Sequence, residues 1–359
     1  MKRIATTAAR TLVALALAGC AGAGAPARST SPQANAIGAV EQTSVDVWML
    51  DIGQGSCVVV DCPGRLIVFD CGSSGGSSNE LTRNNTEAAT AWVRERARAA
   101  GALTVLVSHA DADHYNLIAE AAPAELTDRV LLADPLHMHG AAFVEWTSNL
   151  RGGEDAVLEF TANAFSPADS DLQCGNARAD ALIANLAGSA QTNPHSAVVA
   201  LSFGDTSVVL PGDAHGATER AAIAAMSSLP HLSSNQTVLI GSHHGAGTEG
   251  SNSQEWIGAW RLQGAIFSMR PTSYQHPTCE VVRRFDAAMN QRLAPHEVTC
   301  DGEEAHQTRD RILTTHDNGH MLVRLRGDRL SIYCQRRTPG CAGRLPAAAR
   351  LPGRTAPTA

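Results

Sequence analysis

Four potential metal ligands fall within six residues in Ser108-His109-Ala110-Asp111-Ala112-Asp113-His114. Imidazole and carboxylate alternate there behind small alanine spacers, so one turn could offer His109, Asp111, Asp113 and His114 to a pair of cations. Isolated Asp and His residues are common in polar turns, but this full pattern follows directly on the apolar run Leu103–Val107. A second apolar run, Val208–Leu210, leads into Pro211-Gly212-Asp213. There Gly212 permits a tight turn and Asp213 could bridge two ions. A third run, Val238–Ile240, ends in Gly241-Ser242-His243-His244-Gly245. Three strand ends with metal-type ligands predict a centre for one or two divalent cations, built from His109, Asp111, Asp113, His114, Asp213 and a histidine of the pair His243-His244. Zn²⁺ suits the imidazoles, and the many oxygen donors make Mn²⁺ a competitor.

Such cations would activate a water molecule and polarise a phosphoryl or carbonyl group. Asp113 or Asp111 could orient that water, and His244 either supports the ligands or touches the substrate. His276, in Gln275-His276-Pro277, either binds the substrate anion, protonates a leaving group or caps the helix that follows. Asp113, His244 and His276 are therefore the candidate catalytic residues. His215 reads as a capping residue or a support for the ligands, and His137 and His139 as solvated loop residues. His231, His296, His306, His316 and His320 read as surface histidines. Gly-x-Ser-x-Gly spacing falls only in the Ser/Gly-rich loop Gly72–Ser78, which leads directly neither into an expected helix, as a nucleophile elbow would, nor into Gly-Lys-Ser/Thr. Both features argue against serine-hydrolase and phosphate-loop chemistry.

The elements that must position these residues alternate between β-branched runs and helical patterns. Strands are expected at Val45–Leu50, Cys57–Val60, Leu66–Phe69, Leu103–Val107, Ser196–Phe203, Ser207–Leu210, Val238–Ile240, Ala265–Ser268, Arg311–Thr315, Met321–Leu325 and Leu330–Cys334. Gly204-Asp205-Thr206 reads as a hairpin turn. Helices are expected at Glu87–Ala100, Gly216–Ala225, Gln254–Trp260 and Cys279–Asn290. Residues 137–192 are less regular and read as an insertion near the site. The pattern predicts a layered α/β domain.

The chain has 359 residues, 44% apolar and 18% charged, which supports a packed core and excludes wholesale disorder. Lys2, Arg3 and Arg10 flank the short apolar run Thr11–Leu17, and Leu17-Ala18-Gly19-Cys20 resembles a bacterial lipobox. Residues 1–19 are therefore expected to be a signal peptide, with lipid on Cys20 anchoring an exported protein that faces the periplasm or cell exterior. A flexible tether is expected over 20–43, a folded domain over 44–336 and a disordered tail over 337–359. Removing residues 1–19 takes three basic residues and no acids, moving the net charge from −7 to −10. That balance excludes an extended nucleic-acid-binding surface but not a small or phosphodiester substrate held by metals. Eight cysteines besides Cys20 in an oxidising compartment suggest disulfides. Chain proximity favours Cys57 with Cys71 or Cys62, and Cys334 with Cys341.

Taken in order, the segments 49–55, 108–114, 193–196, 210–213, 243–245 and 275–277 resemble the metallo-β-lactamase superfamily over about residues 45–335. More narrowly they resemble its branch containing the soluble domain of the ComEC DNA-uptake channel. The resemblance implies an αββα sandwich and a binuclear site, with His109, Asp111 and Asp213 in one half and Asp113, His114, Asp213 and His243 in the other. Asp111 replaces the second His of the superfamily motif. Asn193 stands where another His is expected, with His195 two residues on, so the first half is the poorer in ligands. The implied activity is phosphodiester or other phosphate-ester hydrolysis. The alternatives are a lactamase or lactonase, or a non-catalytic binding subunit with a degenerate site. The lack of any Lys after Lys2 removes a carboxylate-binding group that many β-lactamases of this fold use.

Overall fold

A computed structural model describes residues 43–74, 80–159, 172–186, 191–271 and 274–347. The expected signal peptide, Cys20, nearly all of the tether and the end of the tail lie outside them.

The chain begins with strands β1 (Val45–Met49), β2 (Cys57–Cys62) and β3 (Arg65–Cys71), then helix α1 (Glu80–Ala99) and strand β4 (Ala102–Val107). Two short helices, α2 (Ala112–Tyr115) and α3 (Ile118–Ala121), precede β5 (Arg129–Leu132), α4 (Ala141–Thr147) and β6 (Val157–Glu159). Next come β7 (Arg178–Ile183), β8 (Val198–Phe203) and β9 (Thr206–Leu210), then α5 (Gly216–Met226), α6 (Pro230–Ser234) and β10 (Gln236–Ile240). They are followed by α7 (Gln254–Gly258), β11 (Arg261–Phe267), α8 (Cys279–Ala288), β12 (His296–Cys300) and β13 (Glu304–Thr308). The last elements are β14 (Ile312–Thr314), α9 (Thr315–Asn318), β15 (Met321–Arg326), β16 (Arg329–Cys334) and β17 (Gly343–Arg344).

One sheet has the order β17-β16-β15-β1-β2-β3-β4-β5-β6, and a second has β14-β11-β10-β9-β8-β7. Side chains alternate across each strand, so successive residues serve different layers. Val47 and Met49 join Val58, Phe69, Leu201, Leu210 and Ile240 in the core between the sheets. Their neighbours Trp48 and Leu50 face the other way, against Trp92 and Val93 of α1 and Phe143 and Trp146 of α4. On the far side Val209, Leu239 and Phe267 pack against Ala222 of α5, Trp256 of α7 and Phe285 of α8. Helices, sheet, sheet and helices follow in four layers, the expected αββα sandwich.

Strands β3, β4 and β5 are parallel, as are β9, β10, β11 and β14. Their C-terminal ends therefore collect at one rim of the sandwich, joined there by the start of antiparallel β8. The rim is tied across the two sheets by the amide of Ala197, which donates to the carbonyl of Ser108 at 2.9 Å.

Several expectations are corrected. Helix α1 begins at Glu80, not Glu87, because Thr82, Thr86, Ala89, Val93 and Ala97 form one buried stripe at helical spacing. Threonines at its start disguise that stripe as polar sequence. The residues after Pro339 begin as structure, not as a tail: Cys341 is disulfide-bonded to Cys334, β17 pairs with β16, and Leu345 is buried. His320 and His296 are buried rather than superficial. The four disulfides are Cys57–Cys71, Cys62–Cys174, Cys279–Cys300 and Cys334–Cys341. Such bonds belong to oxidising compartments. No helix among the described residues is long and apolar enough to cross a membrane.

Candidate metal centre

The turn after β4 delivers His109 and Asp111 from its loop and Asp113 and His114 from α2. The turn after β9 delivers Asp213, with Gly212 at φ +55° as the tight corner requires. The turn after β10 delivers His243 and His244.

Asp213 divides the site between its two oxygens. Its Oδ1 lies 3.0 Å from His114 Nε2 and 3.6 Å from His244 Nε2. Asp113 Oδ2 closes this half at 3.7 Å from His244 Nε2. Asp213 Oδ2 lies 3.9 Å from His109 Nε2 and 3.7 Å from His243 Nε2. Asp111 Oδ2 stands 3.6 Å from His109 Nε2, and Asn193 Nδ2 donates toward His243 Nε2 at 3.3 Å. The six expected ligands thus meet, but the two adjacent histidines exchange places. His244 faces Asp113 and His114, while His243 faces His109 and Asp111. The cause is local backbone: both residues are left-handed, with φ +49° and +54°. This conformation is costly for residues other than glycine.

That strain is held by partners far away in sequence. Buried Asn252 accepts from the Ser242 amide and donates to the carbonyls of Ser242 and Ala246. Glu219 of α5 accepts from the Ser242 hydroxyl and from the amides of Asn252 and Ser253. Burial raises the Glu219 carboxyl above its usual value, against the pull of these donors.

Carboxylates and carbonyls behind the histidines set their tautomers. His114 Nδ1 lies 2.8 Å from Asp70 Oδ2, at the end of β3, and Asp70 also accepts from the amide and hydroxyl of Ser108. His244 Nδ1 donates to the carbonyl of Ser268 at 3.0 Å. With each Nδ1 so engaged, the two Nε2 atoms face one another at 3.3 Å. Two imidazole lone pairs cannot rest in that arrangement unless a proton or a cation lies between them. Burial disfavours charge on His114, but Asp213 and Asp70 overcome it and hold the imidazole well above its ordinary pKa. Burial likewise opposes ionisation of Asp213, yet His114, His244 and His243 hold it well below the carboxylate range. His109 Nε2 and Asp213 Oδ1 are buried with no aligned hydrogen-bond partner, and both aim into the shared space. Convergent, deprotonatable N and O donors of this kind fit divalent cations.

His195 is not at the centre of the cluster: its Nδ1 pairs with Asp134 at 2.6 Å, and Asp134 also accepts the Ala110 amide. His276 does not cap α8, since Thr278 does so through Val281. Instead its ring lies 5.6 Å from that of His243, and Tyr274 stacks outside it at 6.3 Å. Burial, reinforced by His243 and His244, lowers His276 to about 4. His215 precedes α5 without capping it and stacks on His243 at 5.6 Å. His139 is buried against Phe143, away from any ligand group among the described residues. Cys279 lies near Asp301 and Glu304, but its sulfur is committed to Cys300. Sequence reasoning passed over Asp70, Asp134 and Glu219. Asp70 and Asp134 left a signal there, each an acid directly after an apolar run, Leu66–Phe69 and Val130–Ala133.

The metallo-β-lactamase superfamily matches residues 50–239, just over half of the chain. No sequence among curated proteins matches. Among solved structures, the metallo-β-lactamase fold protein YhfI from Bacillus subtilis is 12% identical with a TM-score of 0.41, covering 80% of this chain and 99% of its own. CmlA from Streptomyces venezuelae, a diiron β-hydroxylase, is 14% identical with a TM-score of 0.45, covering 78% of this chain. This chain spans about half of CmlA, 54% of its length.

Proposed function

We propose that this chain, which belongs to the metallo-β-lactamase superfamily, is an exported, lipid-anchored hydrolase that uses divalent metal to cleave phosphodiester or other phosphate-ester bonds. The observation that carries this reading is the sharing of one buried carboxylate, Asp213, by two facing donor sets. Residues Asp113, His114 and His244 together with Asp213 would hold one cation. Residues His109, Asp111 and His243, again with Asp213 and with Asn193 beside them, would hold a second. Zn²⁺ and Mn²⁺ both suit these donors. Bound there, paired cations supply activated water and charge neutralisation on both sides of an in-line displacement.

The protein's own groups do the rest. Asp70 and the Ser268 carbonyl keep the Nε2 atoms of His114 and His244 turned inward. Asp113 or Asp111, both less buried than Asp213, would orient an incoming water. His276 stands at the mouth as a neutral imidazole with Nδ1 buried and without a hydrogen-bond partner. It is thus a hydrogen-bonding contact for substrate rather than a store of a proton for the leaving group. The resemblance to the ComEC-containing branch and the absence of Lys from the mature chain favour phosphate esters over lactams. Lipid on Cys20 would keep the enzyme at a membrane.

Hydrolysis of bis(p-nitrophenyl) phosphate by the mature chain, alongside metal analysis for zinc, manganese and iron, tests the reading. One to two cations per chain and measurable turnover are expected, with both abolished in Asp213→Ala. His276→Ala should reduce turnover and leave metal content unchanged. A mature chain that takes up no cation after Zn²⁺ or Mn²⁺ is supplied would overturn the assignment.

A further inference from the structure

We propose that the Cys57–Cys71 disulfide is a positioning clamp for the metal centre, so that cation affinity on the Asp113–His114 side depends on this bond. The inference rests on the metal-centre reading above.

Each cysteine is the direct neighbour of a residue that holds the ligand turn. Ser56, before Cys57, donates its amide to the carbonyl of Asp113 at 3.0 Å. Asp70, before Cys71, holds His114 Nδ1 and Ser108. Gly72, after Cys71, donates to the Ser56 carbonyl at 2.9 Å, and Cys71 itself accepts the Leu117 amide beyond α2 at 3.0 Å. The contact is backbone on backbone. A Cβ on Gly72 would lie 2.5 Å from the Asp113 carbonyl carbon, and one on Gly55 would lie 2.7 Å from its oxygen. The α2 turn therefore sits in a cradle whose two walls are the ends of β2 and β3.

A bulge interrupts the strand ladder just behind those walls. The β2–β3 register shifts between Cys57 and Val58, leaving Asp70 as the extra residue before pairing resumes at Cys57 and Cys71. Asp70 is left-handed at φ +55°, a conformation that persists only when its surroundings hold it. The disulfide joins the residue pair just beyond this bulge and adjoins the strained residue. Both cysteines are fully buried, which suits a fixed clamp. Cys62–Cys174 provides an internal control, since Cys62 lies at the opposite end of β2.

The test compares Cys57→Ala/Cys71→Ala with Cys62→Ala/Cys174→Ala in the mature chain. Zn²⁺ affinity is read by chelator competition, and the visible spectrum of bound Co²⁺ reports ligand geometry. The first variant should lose about 10- to 100-fold in affinity, the loss typical when support behind a ligand is removed, with an altered Co²⁺ spectrum. The control should keep wild-type values for both. A folded first variant with wild-type affinity and spectrum, or an equal loss in the control, would overturn the proposal.

Should the first variant fail to fold, linkage gives the same answer on wild type. Cation binding must then protect Cys57–Cys71, but not Cys62–Cys174, from reduction in a glutathione buffer, scored by alkylation and mass spectrometry. Equal sensitivity of both bonds with and without Zn²⁺ refutes the clamp. Wild type that binds no cation at all is a different result, and refutes the metal centre instead.

Discussion

Asp70 illustrates how one carboxylate behind a ligand decides what that ligand can do. It accepts from His114 Nδ1, which leaves Nε2 for Asp213 and the shared space. In Asp70→Asn the amide can keep the Ser108 amide on its oxygen but presents an N–H to the imidazole. The His114 tautomer then inverts and Nε2 no longer ligates. Chelator competition should show cation affinity lower by about 10- to 100-fold; an unchanged affinity would remove Asp70 from the centre. His320 makes a separate prediction in acid. It accepts the Asp51 amide at 3.0 Å, so Nδ1 must stay unprotonated, and burial lowers the group from 6.5 to about 4. A depressed histidine contributes stability that is present above pH 6.5 and is lost as pH falls toward 4, on the order of 3 kcal/mol across the window. His320→Asn, which keeps an acceptor for Asp51, should flatten urea-derived stability over that range by about 1.4 kcal/mol per pH unit. A slope equal to wild type would mean His320 does not titrate this way.

The loop from Ser242 to Ala246 is the element on which both halves of the site depend. It presents two consecutive left-handed histidines, and Asn252 and Glu219 hold it from outside. Removing the Asn252 side chain strands buried partners on Ser242 and Ala246. Asn252→Ala should therefore cost about 2–3 kcal/mol in denaturant unfolding, and weaken cation binding as the histidines relax. Stability within a few tenths of a kcal/mol of wild type would show the loop to be self-supporting. Strands β1–β4, β8–β11 and β14–β16 were legible because burial imposes an apolar pattern on them, whereas β5, β6, β7, β12, β13 and the two-residue β17 were not read from the sequence. Helix α1 was only half legible, since Thr82 and Thr86 fill buried positions usually taken by aliphatic side chains.

At the scale of the whole molecule, covalent links join segments that the sequence keeps apart. Cys62 and Cys174 are 112 residues apart. Closing a loop of that length is worth roughly 4–5 kcal/mol in the chain-entropy model. Cys62→Ala/Cys174→Ala should show a lower denaturation midpoint of corresponding size, while Cys334→Ala/Cys341→Ala, closing only 7 residues, should lose less. Comparable losses would mean that native-state contacts, not loop entropy, set these values. The proposed lipid anchor on Cys20 is tested at the same scale. Cys20→Ser should block fatty-acid labelling and move the exported chain from the membrane to the soluble fraction. Unlabelled wild type recovered wholly in the soluble fraction would leave an ordinary secreted protein.

What the residue order determined by itself is the inventory and its delivery. Ligand types stand at the ends of apolar runs, and apolar runs become strands whose ends must surface together in a layered domain. Hence His109, Asp111, Asp113, His114, Asp213 and the histidine pair were readable; chain proximity gave Cys334–Cys341 but left Cys57 open between Cys71 and Cys62. Tertiary structure decided the assignments. Which of His243 and His244 faces which half follows from two backbone torsions, and torsions at a left-handed turn leave no mark in residue type. The acids Asp70, Asp134 and Glu219 act through contacts tens of residues distant, as does the Cys62–Cys174 bond. His276 separates from its helix and turns to His243 for the same reason. Local sequence encodes local preference, whereas orientation at the rim is set by groups that meet only once both sheets have packed.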